Sequence, residues 1–149
     1  MRIAVGSDHR GVELRAKLVE LLGRLGQHVV DAGSYEEDDD YPDVAALVAR
    51  KVSRGEVDRG ILVCGTGLGM CIVANKIPGV RAAPCHDELT AELSRRHNDL
   101  NVLCLSGDTL NEKAADRLVE VWLATPFEGG RHARRLEKIS ALERGNGRG

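Results

Sequence analysis

Aromatic residues are scarce in this sequence: Phe, Trp and Tyr together make up 3% of its 149 residues. Its core must therefore be built from aliphatic residues and alanine, a composition typical of strands buried on both faces of a parallel sheet. No apolar run approaches the ~20 residues of a membrane-spanning helix. The N-terminus enters an apolar segment directly, without the layout of a signal peptide. These absences predict one cytoplasmic domain over 1–149 with no membrane partner.

The sequence also lacks paired cysteines and an excess of positive charge. Cys64, Cys71, Cys85 and Cys104 stand in or beside apolar runs, without the spacing of a zinc site or a disulfide framework. The absence of a C-x-x-C motif argues against a thiol redox protein. Because 21 Lys and Arg face 23 Asp and Glu, the formal charge is −2, which gives no case for a nucleic-acid partner. We expect four reduced thiols.

Apolar runs of two lengths alternate along the chain. Short runs predict five strands, at 2–7, 29–32, 60–64, 80–83 and 101–105, and helical spacing predicts a helix after each strand and one more at the end. The fourth helix is expected over about 87–96. An acidic loop, 36–40, precedes the second helix, and the Gly-rich end, 145–149, should fray. This alternation predicts an α/β fold: a Rossmann-like three-layer α/β/α sandwich with a five-stranded, mostly parallel sheet.

A glycine-rich stretch follows the third predicted strand. Cys64 ends the strand, and Gly65, Gly67 and Gly69 follow at alternate positions before a helix begins. The spacing fits neither a dinucleotide fingerprint nor a P-loop. Backbone N–H groups at such a turn suit an anion, although a tight turn without a ligand would have the same spacing. Cys64 is a candidate base or nucleophile, with a buried structural thiol as the alternative.

Polar residues elsewhere are candidates for the same site, because ligands of doubly wound sheets lie off the carboxyl ends of the strands. Asp8 and His9 follow the first strand, as an active-site pair or a helix cap. His97 precedes the fifth strand and can exchange protons near neutral pH, or it is an ordinary surface histidine. Arg131 and Arg135 share a helix face, which can grip a phosphate or be a solvated basic face.

Taken in order, these segments resemble the ribose-5-phosphate isomerase B family, which is grouped with the galactose-6-phosphate isomerase subunits. The resemblance covers nearly the whole chain and rests on several motifs in family order. These motifs are Gly6-Ser7-Asp8-His9, Asp40-Tyr41-Pro42-Asp43, Cys64-Gly65-Thr66-Gly67-Leu68-Gly69-Met70, Ala74-Asn75-Lys76, Arg81-Ala82-Ala83, His97-Asn98-Asp99-Leu100-Asn101-Val102-Leu103 and Phe127-Glu128-Gly129-Gly130-Arg131-His132.

The resemblance implies an aldose–ketose isomerase that uses neither metal nor cofactor. Cys64 is then the base that moves a proton between C2 and C1, and His97 opens the furanose ring. Met70 stands where some family members carry a catalytic glutamate, which places this chain with the cysteine-dependent members. The other implied roles are an enediolate hole of Gly65, Thr66, Gly67 and Gly69, sugar contacts from Asp8, His9, Tyr41 and Asn98, and phosphate contacts from Arg131 and Arg135.

One position departs from the family's pattern. The family usually has Gly-x-Arg after the fifth strand, where this chain has Ser106-Gly107-Asp108. A carboxylate beside a phosphate is repulsive. Either Arg10 supplies the missing charge, or the substrate is another sugar phosphate or a free sugar. His132, beside Arg131, is a further candidate residue.

The resemblance also implies a homodimer, or a dimer of dimers, with the active site at the interface. The last helix, which carries Arg131 and Arg135, is expected to be exchanged or packed there. The preferred substrate is ribose 5-phosphate, with allose 6-phosphate, galactose 6-phosphate, a tetrose phosphate or a free sugar as alternatives. A non-catalytic module that binds a sugar phosphate or a nucleotide in the same turn is the alternative of a different class.

Overall fold

A computed structural model of the protein describes residues 1–34 and 40–145. The predicted acidic loop lies mostly outside these residues, as do positions 146–149 of the predicted frayed tail. The strands are β1 (Arg2–Ser7), β2 (His28–Ser34), β3 (Arg59–Cys64), β4 (Ala82–Pro84) and β5 (Val102–Ser106). The helices are α1 (Val12–Arg24), α2 (Tyr41–Ser53), α3 (Leu68–Ala74), α4 (Glu88–Asn98), α5 (Glu112–Ala124) and α6 (Arg131–Arg144). This order confirms the predicted alternation.

The five strands form one sheet in the order β2-β1-β3-β5-β4. All four strand pairings are parallel, so the described sheet is wholly rather than mostly parallel. β2 lies on one side of β1 and β3 on the other, so the loops after β1 and β3 diverge and leave a crevice between them. β5 pairs with β3 so that Cys64 lies beside Ser106. The carboxyl ends of β1, β3 and β5 therefore meet at one edge of the sheet.

The core consists of two apolar layers, one on each face of the sheet, which confirms the three-layer architecture. The layer under α1, α4 and α5 includes Leu18, Leu22, Ala91, Leu103, Leu118 and Trp122. The layer under α2 and α3 includes Val44, Val48, Leu62, Met70 and Ala74. α6 contributes one buried residue, His132, and packs against α4. Its predicted place at a dimer interface stays a prediction.

Several strand and helix boundaries differ from the predicted ones by one or two residues. β4 begins at Ala82 rather than at position 80, and α4 continues to Asn98 rather than ending near 96. No glycine or proline interrupts α4 earlier, and the helix ends where Asp99 adopts a left-handed conformation with φ of 45°. The Asp99 carboxylate accepts a hydrogen bond of 2.7 Å from Arg95. His97 consequently lies in the last turn of α4 and not in a loop.

In the described part of the chain, we find no helix with both the length and the apolar character needed to cross a membrane.

Candidate active site

The turn after β3 folds back over the thiol of Cys64. The backbone N–H of Gly67 donates a hydrogen bond of 3.0 Å to Cys64 Sγ. This contact requires Gly67 to adopt a φ of 82°, which glycine tolerates and other residues rarely do. The side chain of Cys64 is almost fully buried, and α3 begins directly after Gly67. The sulfur thus lies beneath a loop in which the Gly67 N–H points toward it.

The loop after β5 fixes this turn from the side. The Ser106 hydroxyl donates to the Gly65 carbonyl at 2.6 Å. The N–H groups of Gly107 and Asp108 donate to the carbonyls of Cys64 and Gly65 at 2.8 and 3.2 Å. Sequence reasoning missed Ser106, although its position at the carboxyl end of β5 was a signal for it. These bonds make the turn a rigid support for a ligand.

A cavity of about 240 Å³ opens beside the thiol. Glycine at position 69 allows the Tyr41 ring to lie over the turn, because a Cβ there would come within 2.6 Å of the ring. The structure thus brings together residues from three separate segments, and their predicted roles stay predictions. The residues that line the cavity are Asp8, Arg10, Tyr41, Cys64, Gly65, Thr66 and Gly69.

Asp8 organises the loop after β1. Its Oδ1 accepts hydrogen bonds from the N–H groups of Arg10 and Gly11, at 2.9 and 3.1 Å. The helix-cap alternative is wrong, because the N-cap of α1 is Gly11 and receives no side-chain capping bond. Asp8 instead braces the loop before α1 and lines the cavity, and its role in an active site stays a prediction. His9, in contrast, is exposed and is not among the lining residues.

Arg10 and Asp108 form an ion pair at the rim of the cavity. The guanidinium of Arg10 lies against Gly65, where a Cβ would come within 2.6 Å of its central carbon. Both side chains remain partly exposed, at 54% and 38%. Arg10 lines the cavity, but Asp108 opposes its charge, and its role as a replacement cation stays a prediction.

A second cluster of predicted residues lies where α4 ends and α6 begins. The rings of His97 and His132 stack with centroids 4.2 Å apart and planes 11° apart. Glu128 Oε2 lies 3.4 Å from His132 Nε2. Burial of His132 lowers its pKa, and the neighbouring His97, Arg131 and Arg135 act in the same direction.

The two clusters lie at opposite edges of the sheet. Cys64 is the last residue of β3, at its carboxyl end. His97 precedes the amino end of β5, where the Asn101 carbonyl accepts from the Gly60 N–H. A strand of five or six residues is roughly 15–20 Å long. Within one chain, the described fold therefore separates Cys64 from His97, Asn98, Arg131 and Arg135.

The donor atoms of His97, Glu128 and His132 all lie within 4.8 Å of one another, which raises the question of a metal site. A bound metal needs converging lone pairs, and an imidazole lone pair lies in the plane of its ring. In rings whose planes differ by 11°, stacked face to face, the lone pairs run almost parallel. This arrangement does not suit chelation, and metal-free catalysis stays a prediction.

The chain is similar to known proteins over nearly its whole length. A family model described as Ribose/Galactose Isomerase matches residues 3–139. Ribose-5-phosphate isomerase B of Escherichia coli is 46% identical over 143 residues, which cover 95% of this chain and 96% of the relative. D-erythrulose-4-phosphate isomerase of Pectobacterium atrosepticum is 40% identical over 146 residues, with 96% and 95% covered.

The fold has equally close counterparts among solved structures. Ribose-5-phosphate isomerase B from Mycoplasma genitalium, solved with bound ribulose 5-phosphate, superposes with a TM-score of 0.92. It is 44% identical, and the match covers 96% of each chain. Together with these matches, the fold and the site define an aldose–ketose isomerase. The chain belongs to the ribose/galactose isomerase family, as its ordered motifs predict, and the relatives support a sugar-phosphate isomerase whatever the particular sugar.

Cys71, on α3, should react faster than Cys85 near neutral pH. A hydrogen bond from Cys104 lowers the pKa of Cys71 to about 7, and its side chain is partly exposed, whereas burial raises the pKa of Cys85. Because the thiolate is the reactive form, iodoacetamide labelling of Cys71 should rise steeply between about pH 6 and 8, ahead of Cys85. Peptide mass spectrometry measures both rates. Equal rates for Cys71 and Cys85 at neutral pH would contradict this, and Cys71→Ser provides the background for examining Cys64.

Proposed function

We propose that this protein interconverts ribose 5-phosphate and ribulose 5-phosphate without metal or cofactor, by ring opening and proton transfer through an enediolate. The observation that carries the proposal is the Cys64 thiol beneath the glycine turn, in one cavity with Asp8 and Tyr41. The names of the relatives and the ribulose 5-phosphate bound to the Mycoplasma genitalium protein support the choice of sugar. A tetrose phosphate is the second candidate, because of the Pectobacterium relative.

In the proposed reaction, the proton transfer uses groups that line the cavity. The Cys64 thiolate removes the proton from C2 of the open-chain aldose, and the electron pair moves onto the C1 carbonyl oxygen to give the enediolate. The thiol then returns the proton to C1, while the hydroxyl proton on O2 is transferred to O1. Thr66 Oγ1 accepts from the Leu68 N–H at 3.2 Å, so its own hydroxyl proton remains free to donate. Backbone donors of the turn stabilise the enediolate charge, where losing one such donor typically costs ~10²–10³ in rate.

A second copy of the chain would supply the residues that lie at the amino ends of the strands, far from Cys64 of their own chain. In the proposed homodimer, His97 and Asn98 of one chain approach Cys64 of the other, and α6 presents Arg131 and Arg135 to the substrate phosphate. Exposed apolar side chains on the elements concerned favour such an interface. They are Leu68 and Ile72 on α3, 53% and 63% exposed, and Ile139 and Leu142 on α6, 48% and 73% exposed.

Replacing Cys64 with alanine tests the chemistry. Removal of a general base typically costs about 10²–10⁴ in rate, so kcat on ribose 5-phosphate should fall by that order while substrate binding persists. Steady-state kinetics and calorimetric binding measure the two effects. Wild-type enzyme should prefer ribose 5-phosphate over allose 6-phosphate, galactose 6-phosphate, tetrose phosphates and free allose.

Two results would overturn this assignment. Negligible turnover of every phosphorylated sugar by the wild-type enzyme would rule out a sugar-phosphate substrate. Wild-type binding of sugar phosphates without turnover would identify the alternative, a non-catalytic binding module, since such a protein has no activity for Cys64→Ala to remove.

Mixing two inactive variants tests the shared site. Co-refolding equal amounts of the Cys64→Ala and His97→Ala variants should give heterodimers as about half of all dimers. Each heterodimer contains one site with both residues intact and one site with neither, so about a quarter of wild-type activity should return. The control mixes Cys64→Ala with Cys64→Ser, which restores nothing because every site lacks the thiol. No recovery in the first mixture would mean that the two residues do not meet across an interface.

Replacing Arg10 and replacing Asp108 should change KM in opposite directions. Asp108→Asn removes a negative charge near the substrate and should lower KM for ribose 5-phosphate by roughly threefold to tenfold at low salt. Arg10→Ala leaves Asp108 unopposed and should raise KM by a similar factor. Free ribose serves as the control, since an uncharged sugar should respond little to either change. If Asp108→Asn raises KM as Arg10→Ala does, the carboxylate chiefly holds Arg10 in place.

A further inference from the structure

The His97–His132 stack joins a residue of the proposed chemistry to one that has no assigned role. His97 lies in the last turn of α4 and is partly exposed, whereas His132 lies in the first turn of α6 and is 5% exposed. In the described part of the chain, no hydrogen bond holds the His97 ring, so the stack sets its orientation. A group that must transfer protons to a ring oxygen needs a fixed direction.

The surroundings of His132 favour its neutral form. Nε2 of His132 is buried and has no hydrogen-bond partner among the described residues. The charged groups around it oppose one another: Glu128 favours protonation, while Arg131 and Arg135 disfavour it. Glu128 is itself shared with Arg96, whose Nη1 lies 3.5 Å from its carboxylate. Two protonated rings 4.2 Å apart would repel, which is a further reason for His132 to stay neutral in the stack.

We propose that His132 is a positioning residue: its ring is a flat, uncharged support that orients His97 for ring opening. This inference rests on the proposed function of His97. It separates His132 from its neighbours Arg131 and Arg135, since a support acts through stacking and not through the substrate phosphate. Loss of the stack should therefore slow turnover of sugars whose furanose ring must be opened, and far less that of sugars that are already open-chain.

The experiment compares two substrates and two replacements. Ribose 5-phosphate closes into a furanose, whereas erythrose 4-phosphate cannot, because the hydroxyl that would close its ring is phosphorylated. His132→Ala should lower kcat on ribose 5-phosphate roughly tenfold with little change in KM, which is a fraction of a full acid–base contribution. His132→Phe keeps a flat ring and should recover most of that loss. On erythrose 4-phosphate, His132→Ala should have a much smaller effect.

Controls separate this inference from the function on which it rests. Lys138→Ala changes an exposed residue of the same helix and should leave both activities intact, and thermal unfolding checks that all variants fold. Equal losses on the two substrates, a rise in KM alone, or a Phe variant as impaired as the Ala variant would overturn the positioning role. Cys64→Ala is measured in parallel, since its retained activity would instead overturn the proposed function.

Discussion

The hydrogen bonds between the turn after β3 and the loop after β5 hold the candidate active site together. Three donors, from Ser106, Gly107 and Asp108, bind the carbonyls of Cys64 and Gly65. With these carbonyls fixed from the side, the next residues are free to turn back, and the Gly67 N–H reaches the sulfur. A preorganised set of donors is the condition for stabilising a developing negative charge without reorganisation. The chemistry of the site thus depends on the pairing of β3 with β5.

The direction of the strands imposes a second constraint. In a parallel sheet every strand ends at the same edge, so residues that follow strands and residues that precede them cannot meet within one chain. Cys64 belongs to the first group and His97 to the second. The proposed reaction, which uses both residues, would therefore require two chains. The weak packing of α6, which buries only His132 in the described structure, fits a helix whose main contacts lie outside its own chain.

Local patterns in the sequence were sufficient for the elements and for half of the site. Apolar periodicity predicted the alternation of strands and helices. The rule that ligands bind at the carboxyl ends of parallel strands predicted that Asp8 lies near Cys64, without any knowledge of the strand order. The motifs predicted the family. They could not predict the stack of His97 on His132, which depends on how α6 packs against α4, or the bond from Ser106 to Gly65, which joins residues 41 positions apart. The end of α4 was also missed, because Asp99 adopts a conformation more usual for glycine.

The pairing of Arg10 with Asp108 changes what the carboxylate at position 108, where the family usually has arginine, implies about phosphate binding. Viewed alone, Asp108 would exclude a phosphate; viewed with Arg10, it adds little net charge to the rim. The two residues are 98 positions apart, and both partners are needed to see that a carboxylate at one loop is balanced by a guanidinium from another. A partly exposed pair contributes little to stability. Its effect should therefore fall on the choice of substrate: under the proposed function, a neutral rim leaves the binding of the phosphate charge to Arg131 and Arg135.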